Sequence, residues 1–152
     1  MPDKRKIIRL ENEVYTEGVF LLTVCCHEKA PIFRNPVFRD LCEESLHWKA
    51  TKTGVILWAY CIMPDHVHIL AQPDGEGLLE FVRLFKNGVS TAVRRAGWNG
   101  EVWQRRFHDH GLRRPEKVID VARYLVQNPV RKGFVSDWRD WKGIFIHPDL
   151  EL

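Results

Sequence analysis

The chain has little cysteine, no long apolar run and no dominant sign of charge. Of its 152 residues only four are cysteines (Cys25, Cys26, Cys42 and Cys61), and none forms a C-x-x-C pair. That argues against a disulfide framework and against a cysteine-rich zinc module. Cys25 and Cys26 are adjacent in an apolar run, and neighbours in a strand point to opposite faces, so they are poor partners for each other. All four are expected to be reduced, small buried hydrophobes. The longest apolar run, Val55 to Met63, falls well short of the ~20 residues that cross a bilayer. The N-terminal MPDKRKIIRLENE is basic but holds no apolar segment, so no signal peptide is expected and the protein is placed in the cytoplasm, away from membranes. Repeats and low-complexity tracts are absent. Lys and Arg number 23 against 20 Asp and Glu, a balance of +3 that selects no partner by itself.

What is present is an ordinary globular composition, 45% hydrophobic and 28% charged, which predicts a single domain over residues 1–152. The charge is unevenly spread. From Phe81 to Lys132 there are 12 basic and four acidic residues, a local balance of +8, while the remainder carries 11 and 16 and is acidic. Such a segment suits a polyanion-binding surface; an Arg-rich solvated face would look the same.

Local patterns predict the elements. Val19 to Cys26 reads as a buried strand, and Asn35-Pro36 opens a helix that runs to Thr53 and stops at Gly54. Val55 to Ile62 and His66 to Gln72 read as two more strands, joined by the tight Met63-Pro64-Asp65. Leu78, Phe81, Val82, Phe85, Val89 and Val93 recur at helical spacing between Gly77 and Arg95. Val102 to His110 is compatible with a strand, Pro115 to Asn128 with a helix, and the Trp-rich end reads as irregular. The order matches a ferredoxin-like α+β fold: an antiparallel sheet with helices on one face, plus an extra C-terminal helix.

His66 and His68 lie two apart in a strand, so both imidazoles share one face and can approach a single divalent metal. Two ligands do not complete a site, and two hydrogen-bonded histidines would show the same spacing. A second H-x-H, His108 and His110, lacks the MPDHVHIL context. In the helix carrying Tyr124, Val118, Ile119, Ala122, Leu125 and Val126 form one apolar stripe. With Val118 at 0°, that stripe centres near ~40° and Tyr124 falls at ~240°, facing away from it. Asn128, at ~280°, lies on the same line as Tyr124 and can offer an amide oxygen as a third ligand. A phenol with pKa near ~10 needs help from a metal or base to act as a nucleophile.

These residues resemble a known family. MPDHVHIL is similar to the His-hydrophobic-His signature of single-tyrosine transposases. VWQRRFHDHGLR followed by ARYLVQNPVRKGFV resembles the block in which their tyrosine precedes an Asn-Pro-Val motif, and the best match is the REP-associated subgroup. The likeness runs from about Val19 to Val135, with Asp65 standing where asparagine is frequent. It implies a ferredoxin-like fold with a C-terminal catalytic helix, and metal-dependent nicking and joining of single-stranded or hairpin DNA in a nucleoid-associated setting. It also implies Tyr124 as nucleophile, and His66, His68 and Asn128 as ligands to Mg²⁺ or Mn²⁺. Phosphate and base contacts are expected from Arg94, Arg95, Trp103, Arg105, Arg106, Arg113, Arg114, Lys117, Arg123 and Arg131. A module that binds nucleic acid without cutting it, and a hydrolase of small phosphoesters, are the competing functions. Monomer and homodimer both remain open.

Overall fold

The computed structural model describes residues 18–74, 77–112 and 118–152. Strand β1 (Phe20–Cys25) leads to helix α1 (Pro36–Thr53), then to β2 (Ile56–Met63), β3 (His66–Gln72) and α2 (Gly77–Arg95). Strand β4 (His108–Gly111), helices α3 (Val118–Val126) and α4 (Asn128–Arg131), and β5 (Ile144–Ile146) complete it. The strands form one antiparallel sheet in the order β4-β1-β3-β2-β5. Its α+β class is as expected.

Helix α1 begins and ends where its sequence says. The Asn35 side chain accepts from the Val37 N–H at 2.9 Å, Pro36 occupies the first turn, and Gly54 closes the helix in the left-handed region at φ 75°. The α2 stripe is entirely buried. Its Phe81 and Phe85 pack with Leu46 of α1 against Phe20, Leu22, Val24 and Ile69 of the sheet. The other face, carrying Cys61, Met63 and Leu70, is covered by Ala122, Leu125 and Val126 of α3 and by Trp138 and Trp141. The extra helix thus lies opposite the first two, and the sheet is the middle of three layers.

Three expectations are corrected. The strand expected over Val102 to His110 is interrupted: Trp103 makes an isolated bridge to Cys26, and regular pairing starts only at His108. Between them the Gln104 and Arg105 carbonyls accept from Lys86 Nζ at 2.8 and 3.4 Å, which ties the segment to α2. The helix expected to run to Asn128 ends at Val126, and Asn128-Pro129 opens the separate turn α4; the expected start at Pro115 lies outside the described residues. The Trp-rich tail is not wholly irregular, since β5 pairs with β2. Among the described residues no helix is long and apolar enough to cross a membrane. The four cysteines are free, with only Cys25 partly exposed.

Candidate metal and nucleophile site

Sheet register assembles the site. Thr23 pairs with His68 and His68 with Cys61, while Cys25 pairs with His66 and His66 with Met63. Directly paired residues share a face, so both imidazoles project on the side covered by α3. His66 Nε2 and His68 Nε2 stand 3.1 Å apart. Two nitrogens bound to one metal at roughly 2.1 Å lie about 3.0–3.4 Å apart for angles between octahedral and tetrahedral, so the pair is spaced for a shared cation.

Each ring is held from behind. His66 Nδ1 meets Asp65 Oδ1 at 2.6 Å, and His68 Nδ1 meets Thr23 Oγ1 at 3.0 Å. With Nδ1–H donated to these oxygens, both Nε2 lone pairs would be free for a metal, the tautomer that ligation requires. Burial pushes the His68 pKa down to about 4, helped by His66 and by the positive charge of Arg131, so this imidazole is neutral at pH 7. Sequence reasoning missed Asp65 and Thr23. Asp65 could have been found, as an acid directly before a strand histidine; Thr23 could not, because its partnership exists only through cross-strand register.

The dyad opens into a cavity of about 530 Å³ bordered by Lys29, Arg34 and Lys132. None of these three cations was among the expected DNA contacts. Lys29 follows Glu28, and both carry positive φ, 55° and 52°. Two non-glycine residues in that region are strained, and they persist because neighbouring backbone is pinned. Cys26 N–H donates to Asp65 C=O at 2.8 Å, His27 N–H to Val102 C=O at 2.9 Å, and Phe33 N–H to Pro64 C=O at 3.0 Å.

Tyr124 projects from α3 on the dyad side of the sheet and is 65% exposed, as the helix geometry predicted, but it is not among the residues lining the cavity. Arg131 joins it to the rest. Its guanidinium lies 3.8 Å from the Tyr124 ring centre, Nη1 donates to the Tyr124 C=O at 2.9 Å, and Nη2 donates to Asn128 Oδ1 at 3.4 Å. Asn128 is buried, and its Nδ2 has no partner among the described residues. Tyr124 is thus exposed and Asn128 buried, with the Arg131 guanidinium touching both. No cluster of three His, Cys, Asp or Glu suited to a metal occurs among the described residues.

The remaining expected contacts scatter. Arg94 and Arg95 belong to α2, which packs on the face away from the dyad, and Arg94 is engaged with the Gly100 C=O. Arg105 and Arg106 are exposed, and Arg123 pairs loosely with Asp120. Trp103 is a correction: it is buried against Phe33 and Phe85, and its indole N–H donates to the Lys86 C=O, so it offers no free face to a base. Arg113, Arg114 and Lys117 lie outside the described residues. His108 sits in the row of His68 but on the far side of Thr23, and His110 follows it in β4 opposite Leu21.

The same chain is similar to proteins already known. The family model for IS200-like transposases matches residues 16–128. A REP-associated tyrosine transposase of Escherichia coli K12 is 27% identical over 93 residues, which are 60% of this chain and 54% of that protein. A Haemophilus influenzae protein provisionally given the same name is 29% identical over 105 residues, 61% of this chain and 60% of that one. The chain thus spans less than two thirds of either relative. A solved REP-associated tyrosine transposase bound to a REP hairpin shares the fold, with a TM-score of 0.73 over 87% of this chain and 78% of that one at 21% identity.

Proposed function

The chain belongs to the IS200-like transposase family, and from that premise we propose that it cuts and rejoins single-stranded DNA through a covalent phosphotyrosine intermediate. The observation that carries this reading is the pair of imidazole Nε2 atoms, 3.1 Å apart and each anchored through Nδ1, at a cavity bordered by cations.

His66 and His68 would hold Mg²⁺ or Mn²⁺, with Asn128 as third ligand. The ligating atom would be the Asn128 Oδ1, which accepts a 3.4 Å contact from Arg131. A bound divalent cation would polarise the scissile phosphate as a Lewis acid. Lys29, Arg34 and Lys132 supply counter-charge for neighbouring phosphates. The phenol oxygen of Tyr124 attacks phosphorus and gives up its proton, the bond to the 3′ oxygen breaks, and that oxygen takes up one proton to leave as a hydroxyl, so that protons balance. The 5′-phosphotyrosine keeps the energy of the phosphodiester, so attack by another 3′-hydroxyl restores a DNA strand and frees the phenol. The substrate proposed is hairpin DNA flanked by single strand, the hairpin being what the structural neighbour is bound to.

The test is adduct formation on an end-labelled hairpin oligonucleotide with Mn²⁺. Wild type should give a protein–DNA adduct that EDTA suppresses, and Tyr124→Phe should give none with unchanged folding. Because Tyr124 does not line the cavity, one specific observation favours a second reading, a module that binds the hairpin without cutting it. Tight hairpin binding with no wild-type adduct would select that reading.

A further inference from the structure

Phe134 is 46% exposed, yet its backbone and one ring face are both engaged. It follows α4 through Gly133, whose φ of 77° turns the chain in the conformation that favours glycine. The Phe134 N–H donates to the Pro129 C=O at 2.9 Å, closing that turn. One face of its ring stacks on Trp141, with centroids 5.4 Å apart and planes 15° from parallel. Trp141 is itself fixed to the sheet: its indole N–H donates to the Ile62 C=O at 3.0 Å, and the Ile62 N–H donates to the Gly143 C=O at 2.9 Å. The result is a stiff two-ring stack standing on β2, with Phe134 outermost.

Phe134 borders the same cavity as His66 and His68, and so does Lys132. An aromatic face beside a cation is the pairing that single-stranded nucleic acid uses: the ring stacks a base and the cation neutralises its phosphate. At about 530 Å³ the cavity lies within the roughly 300–1,000 Å³ of small-ligand sites, enough for one nucleotide. A solvent-exposed ring that only filled core would have no reason to be braced by a second ring on a sheet carbonyl.

We infer that Phe134, braced by Trp141, is the stacking platform for one nucleobase adjoining the phosphate bound at the histidine dyad, with Lys132 on the phosphate of that nucleotide. The inference rests on the DNA-cutting reading above and adds to it a base subsite. Stacking tolerates every base, so the subsite fixes the position of the strand and not its sequence.

The test uses hairpin oligonucleotides carrying 2-aminopurine at one single-stranded position at a time, with fluorescence quenching and affinity measured alongside adduct yield. Wild type should quench the probe at one position. Phe134→Ala should abolish that quenching and weaken binding about tenfold, the scale of one base–aromatic stack. Phe134→Leu, which retains apolar packing on Trp141 without a π face, should behave like Phe134→Ala, and Phe134→Trp should restore both quantities. Wild-type adduct together with quenching and affinity unchanged in Phe134→Leu would overturn the subsite and leave the function standing. Loss of adduct in wild type itself would overturn the function, and the subsite with it.

Discussion

A buried imidazole is a poor cation, and His68 shows it. Its pKa is depressed to about 4 by burial, by His66 and by Arg131, and burial also lowers that of His47. A pKa below the unfolded value of about 6.5 means that the unfolded chain binds the extra proton first. The stability due to a neutral His68 is therefore complete above pH ~6.5 and is lost progressively as the pH falls towards about 4. In EDTA, the urea midpoint of wild type should fall through that window more steeply than that of His68→Gln. Parallel profiles would show that His68 is not held neutral. His66 and His68 are legible as a pair because a strand has a period of two, and Tyr124 because a helix has a period of 3.6. Thr23 and Asp65 are not legible as their supports, since neither local period tells which strand lies alongside. The Arg131 clamp is partly legible, since Tyr124, Asn128 and Arg131 stand four and three residues apart, the spacing of one helical face.

Elements with their own punctuation are plain in the sequence. Helix α1 carries Asn35 at one end and Gly54 at the other, α2 carries an unbroken apolar stripe, and β3 has the expected limits, His66–Gln72. Strands β4 and β5 escape because they are short edge strands, one expected too long and the other not expected, and each exists through pairing with a distant neighbour. The packing of α1 on α2 is equally invisible in either helix alone. A Cβ added at Gly88 would lie 2.8 Å from Ser45 Oγ and 3.1 Å from Lys49 Cε, so the helices meet where a side chain is missing. Alanine in a helix is favoured over glycine by up to about 1 kcal/mol, yet here overlap should win. Gly88→Ala is expected to destabilise the protein by about 1 kcal/mol. Ser45→Gly in the same chain should reduce that penalty, because the overlapping hydroxyl is gone. Thermal denaturation of the two single variants and the double would read the coupling directly. A Gly88→Ala protein more stable than wild type would contradict the close approach.

At the scale of the whole molecule, the sheet divides the basic segment. Residues contiguous in sequence from Phe81 to Lys132 pass from α2 on one face, along the β4 edge, to α3 and α4 on the other. The single polyanion surface suggested by the sequence is thus two surfaces, and the cations at the dyad include Lys29 and Arg34 from an otherwise acidic part of the chain. For single-stranded DNA each phosphate that a protein neutralises adds about 0.7 to the salt slope of its affinity. Replacing Lys29, Arg34 and Lys132 together with alanine should lower the slope by about 2 and weaken binding, whereas Arg94→Ala with Arg95→Ala should change both far less. Equal effects would mean that DNA engages both faces.

The proposed function requires the imidazole pair and the phenol to act on one phosphate, although Tyr124 does not line the cavity in this structure. The most direct measurement is mass-spectrometric mapping of the adduct formed with a hairpin oligonucleotide, with Mn²⁺ and with EDTA, in wild type and His66→Ala. A 5′-phosphorylated oligonucleotide on the peptide carrying Tyr124, formed with Mn²⁺ and lost in EDTA and in His66→Ala, is the expected result. An adduct on any other residue, or one at Tyr124 that persists in EDTA and without His66, would contradict it.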